Sequence, residues 1–300
     1  MNKVNITAIM GVVPAALRRH LVVDLLLGVF PDSHDQWIEF NEGARAYVDL
    51  RDPEARNVFL KRSFEPDFFK LASAVLSEGG VFFDCGANFG LCTFGLLPSI
   101  ASSHLSCHLF EANPTLIRYL ERTRSLFPST EIRVTEGCVS DQHGISHFHI
   151  NTESPAQSHV AANGATVRPN VVLDDYLERN GLNAVTLLKM DLEGQELNAL
   201  RGLAKALDRG AVEVIYFEAR SELFHRYGLT PEDIIQFLNE KGFRVFYCRD
   251  RDLNGTPRTT SRFTRSGLNQ LQLSEFESPS GDLGTDLLAI RQTLIVKAAV

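Results

Sequence analysis

Apolar positions fall into two rhythms along the chain, and Gly, Pro or Asn stands where one rhythm changes to the other. Short apolar runs recur at Ala46–Leu50, Val81–Asp84, Ser106–Glu111, Ile132–Cys138, Val185–Met190, Val212–Phe217, Phe243–Tyr247 and Leu287–Ile290. Their length and their Val, Ile and Phe content fit buried strands. Between them the spacing turns helical. Phe68, Leu71, Ala72, Val75 and Leu76 share a face over Asp67–Ser77, and Leu197, Leu200, Leu203 and Leu207 share another. Asn113-Pro114 and Thr230-Pro231-Glu232-Asp233 are helix starts, Glu78-Gly79-Gly80 and Gly242 are stops, and Leu173–Arg179 reads as a short helix. Strands alternating with helices predict an α/β fold with a mostly parallel sheet covered on both faces.

Four stretches stand outside this alternation. Residues 1–40 read as helical and accessory. His147–Ile150 reads as an added strand after the turn Asp141-Gln142-His143-Gly144. Residues 151–169 are Ser-, Ala- and Asn-rich and read as a long loop. Residues 249–284 are polar, carry Arg249, Arg251, Arg258, Arg262 and Arg265, and read as a solvated loop that could meet an anionic acceptor. No internal repeat is found, and two domains are expected: an extension over 1–63 and a main domain over 64–300.

The apolar stretch Ile6–Phe30 is interrupted by Arg18, Arg19, His20 and Asp24, so no integral membrane segment is expected. The charge follows the apolar run, the wrong order for a secretion signal. Amphipathic helices packed on the domain, or on a second subunit in a homodimer, fit better. Thirty basic against 37 acidic residues give a net charge of −7, and no long basic run argues for nucleic acid. Five cysteines, an odd number with no CxxC pair, read as reduced thiols of a cytoplasmic protein, and no metal site is expected.

The chemistry gathers at strand ends. Asp84, Gly86, Asn88 and Gly90 form D-x-G-x-N-x-G after the first core strand, a loop whose sparse side chains let a ligand approach the main chain. Glu111 ends the next strand, where a carboxylate can take both hydroxyls of a ribose. NAD proteins share that acid but normally carry G-x-G-x-x-G, so this loop favours S-adenosylmethionine. The third block is Lys189-Met190-Asp191-Leu192-Glu193-Gly194-Gln195-Glu196. A lysine on a buried strand needs a partner. Asp191 or Glu193 could orient or deprotonate a hydroxyl, or face a sulfonium, and Lys189 could pair with one of them. Glu218 ends a further strand. His143, His159 and His225 read as incidental loop residues.

These blocks, in this order, resemble the FkbM family of S-adenosylmethionine-dependent methyltransferases. The resemblance runs from about Ala44 to Ile290. It rests on Tyr47-Val48-Asp49-Leu50-Arg51-Asp52-Pro53, Phe64-Glu65-Pro66, Phe83–Gly90, Phe110-Glu111-Ala112-Asn113-Pro114, Leu173-Asp174-Asp175 and Leu188–Glu196. Cys85, Phe89 and Gln195 depart from residues common in that family. The resemblance implies a class I, Rossmann-like methyltransferase fold with a seven-stranded mostly parallel sheet, preceded here by an N-terminal helical extension. It implies methyl transfer, usually to oxygen, with a small molecule, sugar, glycolipid or polyketide-type acceptor. By position, Asp84, Gly86, Asn88 and Gly90 would surround the cofactor's methionine part and Glu111 its ribose, with Val139, Ser140 and Asp141 near adenine. Asp191, Glu193 and Lys189 are the catalytic candidates. The rivals are a nicotinamide-dependent oxidoreductase and a non-catalytic cofactor-binding scaffold; the intact Lys189–Glu196 block argues against the scaffold.

Overall fold

The computed structural model describes residues 3–14, 20–100, 104–247, 262–264, 266–271, 273–276 and 284–296. Helices α1 (Ile6–Val12) and α2 (His20–Val29) lead into an antiparallel pair, β1 (Asp35–Phe40) and β2 (Ala44–Asp49). The first of these strands falls inside the stretch expected to be helical. Ile38 and Phe40 are buried on either side of exposed Glu39, a two-residue period that the apolar run before it obscured. Helices α3 (Pro53–Lys61) and α4 (Pro66–Val75) follow, the former capped by Asp52, which accepts from Ala55 N at 2.7 Å.

The core then alternates as expected: β3 (Gly80–Cys85), α5 (Leu91–Leu96), β4 (Leu105–Glu111), α6 (Pro114–Arg124) and β5 (Glu131–Glu136). A small sheet takes in both the added strand expected near His147–Ile150 and part of the stretch expected as a long loop. It is built from β6 (Cys138–Val139), β7 (Ile145–His149), β8 (His159–Val160) and β9 (Thr166–Val171), ordered β6-β9-β7-β8. Pro169 and Asn170 disfavour a strand taken alone, and pairing with β7 overrides them. Helix α7 (Leu173–Arg179) and strand β10 (Val185–Met190) lie where expected. The leucine-spaced helix after them is two, α8 (Glu196–Arg201) and α9 (Ala204–Asp208). They part at Gly202, where a Cβ would come within 2.2 Å of the Ser140 carbonyl oxygen. The rest is β11 (Val212–Arg220), α10 (Ser221–His225), α11 (Pro231–Glu240), β12 (Phe243–Tyr247), β13 (Arg262–Phe263), β14 (Ser274–Glu275), β15 (Gly284–Arg291) and β16 (Ile295–Val296).

The main sheet is ordered β14-β12-β15-β11-β10-β3-β4-β5. The seven strands anticipated are present, and the two-residue β14 adds an eighth at one edge. From β5 to β11 all neighbours are parallel, whereas β15 runs antiparallel to both β11 and β12, so the sheet is mixed. Alternate side chains feed two cores. Phe83 and Leu188 pack on one face, Phe82 and Leu187 on the other. A third cluster joins Ile6, Val23, Ile38 and Val48 of the first 63 residues to Phe89, Leu91, Leu116 and Tyr119. On α2 only Val23 is fully buried; Leu21, Leu25 and Val29 are exposed. Among the described residues no helix is long and apolar enough to cross a membrane. Cys85, Cys92, Cys107 and Cys138 are buried free thiols. Arg18, Arg19, Cys248, Arg249, Arg251, Arg258, Arg265 and the side chain of Arg262 lie outside the described residues.

Candidate active site

The strand order reverses between β3 and β10, so their carboxyl ends open a crevice. A cavity of about 430 Å³ lies there. Gly86, Asn88, Glu111, Lys189, Asp191 and Glu193 line it; Asp84, Gly90, Ser140 and Asp141 are not on its wall.

The glycine loop is shaped by close approach. At Gly86 φ is +77°, and a Cβ there would sit 1.9 Å from the Asp191 carbonyl oxygen. The N–H groups of Gly86 and Ala87 both donate to the Phe110 carbonyl at 3.0 Å, tying the loop to the end of β4. That turn brings Asn88 N to 2.7 Å from Glu111 Oε2, while Asn113 N donates to Oε1 at 2.7 Å. Burial raises the Glu111 carboxyl's pKa, and these backbone donors pull it back. Asn88 donates through Nδ2 to Glu54 Oε2 at 2.9 Å, and its Oδ1 is buried without a partner among the described residues. Gly90 shapes the turn from behind: a Cβ would press within 2.4 Å of the Phe94 ring.

Asp84 lies beneath this floor, fully buried, accepting from Thr93 Oγ1 at 2.7 Å. Its register partner on β10 is Lys189. Lys189 Nζ lies 3.4 Å from Asp84 Oδ1 and 3.4 Å from Asp191 Oδ2, and donates to the Gly86 carbonyl at 3.1 Å. The lysine thus ties the glycine loop to its own block, with Asp191 half-exposed to the cavity. Glu196 holds the loop after β10 from inside, accepting from Leu192 N at 2.8 Å; burial pushes its pKa to about 7.

Glu54, Glu65 and Asp286 also reach the wall and were not among the candidates read from the sequence. Tyr216 donates to Asp286 Oδ2 at 2.8 Å and to Glu65 Oε2 at 3.4 Å. Glu218 faces its register partner Asp286 across β11 and β15, and its Oε1 pairs with Arg220 Nε at 2.9 Å. Burial, then the Asp191 charge, pushes Glu218 to about 9. Burial likewise pushes Glu54, Glu65 and Glu193 to about 7. Carboxylate oxygens of Asp191, Glu193 and Glu218 fall within 4.8 Å of one another, a spacing a divalent cation would accept. Only Glu65 had a sequence signal, the Phe64-Glu65-Pro66 block. Glu54 and Asp286 had none beyond being acidic.

Beyond Glu111 the wall is Gly137, Cys138 and Val139, while Ser140 and Asp141 continue past it and pack on the turn at Gly202. Residues 154–160 close another side and bring in His159, whose Nδ1 lies 3.0 Å from the Gln157 carbonyl. His143 and His225 are not on the wall; His143 is exposed and lies 3.2 Å from Asp175.

A family described as methyltransferase FkbM domain matches residues 84–245, more than half of the chain. Hexuronic acid methyltransferase AglP of Haloferax volcanii is 25% identical over 176 residues, covering 59% of this chain and 68% of its own. The structure of methyltransferase FkbM from Methylobacillus flagellatus KT aligns with a TM-score of 0.42 at 15% identity, over 71% of this chain. It covers 44% of the other, so this chain spans less than half of that protein's length. The O-methyltransferase from Bacillus cereus in complex with SAH aligns with a TM-score of 0.40 at 11% identity, over 76% of this chain and 82% of that one.

Proposed function

We propose that this chain, which belongs to the FkbM methyltransferase family, takes its methyl group from S-adenosylmethionine and delivers it to a hydroxyl oxygen of a sugar or similar polyol. The observation that carries the cofactor reading is the Glu111 carboxylate. Each of its oxygens is fixed by one backbone N–H and keeps lone-pair capacity for the two hydroxyls of a ribose. The partnerless buried Oδ1 of Asn88 on the same wall fits a ligand that brings its own donor, as an amino acid's ammonium does. In this reading Gly86 and Asn88 bound the methionine part, Gly137 to Val139 lie along adenine, and Asp84 and Gly90 support the loop from behind. Residues 64–300 form the cofactor-binding domain, and the segment before them completes the acceptor wall through Glu54.

When bound, the cofactor supplies a methyl group on a positively charged sulfur that leaves as a neutral thioether. The residues of this chain align an acceptor oxygen with that carbon and take up the hydroxyl proton. Alignment contributes roughly 7–11 kcal/mol and a positioned base about 10²–10⁴-fold. Asp191 is the residue we assign to the hydroxyl. It projects into the cavity while Lys189 holds it from beneath. The relative named for hexuronic acid makes a sugar hydroxyl the acceptor we favour.

Calorimetric titration with S-adenosylmethionine, S-adenosylhomocysteine and, as control, NADH tests the assignment. The first two should bind and NADH should not. Glu111→Ala removes two hydrogen bonds to a charged group, each worth about 1.5–3 kcal/mol, and should weaken binding by at least about 100-fold. NADH binding alone would restore the nicotinamide reading, and unchanged affinity in the variant would remove Glu111 from the ribose.

A further inference from the structure

The cavity wall gathers more acidic groups than the methyl donor can use. Glu54, Glu65, Asp191, Glu193, Glu218 and Asp286 all line it. Among the described residues the cations on that wall are Lys189 and Arg220, and both are already engaged. Lys189 lies between Asp84 and Asp191, and Arg220 pairs with Glu218. A sulfonium offsets one further charge. Apart from Glu54, which accepts from Asn88, these acids gather at one end. Glu218 and Asp286 are register partners on β11 and β15, whereas Glu111 ends β4, three strands from β11. At about 4.8 Å per strand that is roughly 14 Å, so these acids stand away from the ribose position. A separate observation marks that end as a binding surface. Glu218 Oε2 is buried and has no hydrogen-bond partner among the described residues. A buried carboxylate oxygen left so is costly unless a ligand donates to it.

We infer that this end of the cavity selects an acceptor that donates hydrogen bonds and bears no negative charge, a neutral or amino-substituted sugar, and rejects the uronic acid counterpart. Hydroxyl and ammonium groups donate to these acids and favour their ionised form, whereas a carboxylate brought among them adds an anion to a partly desolvated site that already disfavours ionisation, an arrangement that discriminates against it. The inference rests on the methyl-transfer reading of this cavity. It also sets this chain apart from the relative named for a hexuronic acid.

One scaffold with three charges separates the cases: the methyl glycosides of glucose, glucosamine and glucuronic acid. Binding to the full chain saturated with S-adenosylhomocysteine is followed by ligand-observed NMR, and methyl transfer from S-adenosylmethionine by mass. The neutral or amino glycoside should bind at least about tenfold more tightly than the glucuronoside, equivalent to about 1.4 kcal/mol. Glu218→Gln combined with Asp286→Asn should narrow that ratio. Equal or tighter binding of the glucuronoside overturns the inference while leaving the methyltransferase reading intact. Binding of none of the three to protein that holds S-adenosylhomocysteine also overturns it. Failure to bind S-adenosylhomocysteine at all sinks the cofactor reading on which it depends.

Discussion

Replacing Lys189 with methionine is the sharpest test of how the site is held together. The ammonium is 7% exposed and lies 3.4 Å from an Asp84 carboxylate that is fully buried. At that distance, with an effective dielectric of 20, the attraction is about 5 kcal/mol. Burying the lysine opposes it, so the pair's net contribution is smaller. Removing one partner is another matter, because Asp84 would keep its charge and its burial with only Thr93 to satisfy it. Breaking a buried pair in this way costs about 3–5 kcal/mol. In a chain this large each kcal/mol lowers the melting temperature by about 2 °C, so Lys189→Met should melt about 6–10 °C below the parent. Adding Asp84→Asn removes the stranded charge and keeps an acceptor for Thr93, so the double variant should recover about 2 kcal/mol of the loss. Denaturant unfolding of the parent, both single variants and the double closes the cycle. A loss under about 1 kcal/mol in Lys189→Met, or a double variant no better than the single, would refute the view that this lysine exists to neutralise the floor.

Asp191→Asn should lower turnover by about 10²- to 10⁴-fold and leave S-adenosylhomocysteine affinity within about twofold; undiminished turnover would take Asp191 out of the reaction. Gly86→Ala should cost at least about 2 kcal/mol in denaturant unfolding, since φ is +77° and the new Cβ would stand 1.9 Å from a backbone oxygen; a parent-like midpoint would mean that the loop shifts freely. Stability of the ligand-free protein should fall as pH rises through neutrality. Glu54, Glu65 and Glu193, pushed to about 7, and Glu218, pushed to about 9, bind protons in the folded state that the unfolded chain releases near its ordinary value of 4.5. Melting temperatures read from about pH 5.5 to pH 9 should therefore decline, and Glu218→Gln should flatten the alkaline part; a rising profile would contradict the burial of these acids.

What could be read from the sequence was whatever is local. Val185–Met190 is apolar apart from Thr186 and Lys189 because both of its faces are covered, and its bounds match the strand residue for residue. Helix α7 and strand β12 match in the same way. Errors fell where a neighbour decides the structure. The strand β9 contains Pro169 and Asn170 and forms because β7 pairs with it. The single helix anticipated after β10 divides because the Ser140 carbonyl comes up against Gly202 from far along the chain.

The site divides along the same line. Asp84, Gly86, Asn88 and Glu111 were visible because a tight turn between adjacent parallel strands imposes a fixed spacing within one stretch of chain. Glu54, Glu65 and Asp286 share no such constraint. The first follows a helix cap, the second sits in a left-handed turn at φ +35°, and the third enters on a strand running the other way. Helix packing for the first two and sheet order for the third set them around one cavity, and no spacing in the sequence encodes that arrangement. On the proposed reading, the loop assigned to the shared cofactor therefore repeats as a motif, while the wall assigned to the acceptor is assembled from scattered acids. Changes on that wall can alter the acceptor without touching Gly86, Asn88 or Glu111. Family membership accordingly constrains the chemistry of this chain more tightly than its acceptor, and the charge on the acceptor wall is the better guide to the latter.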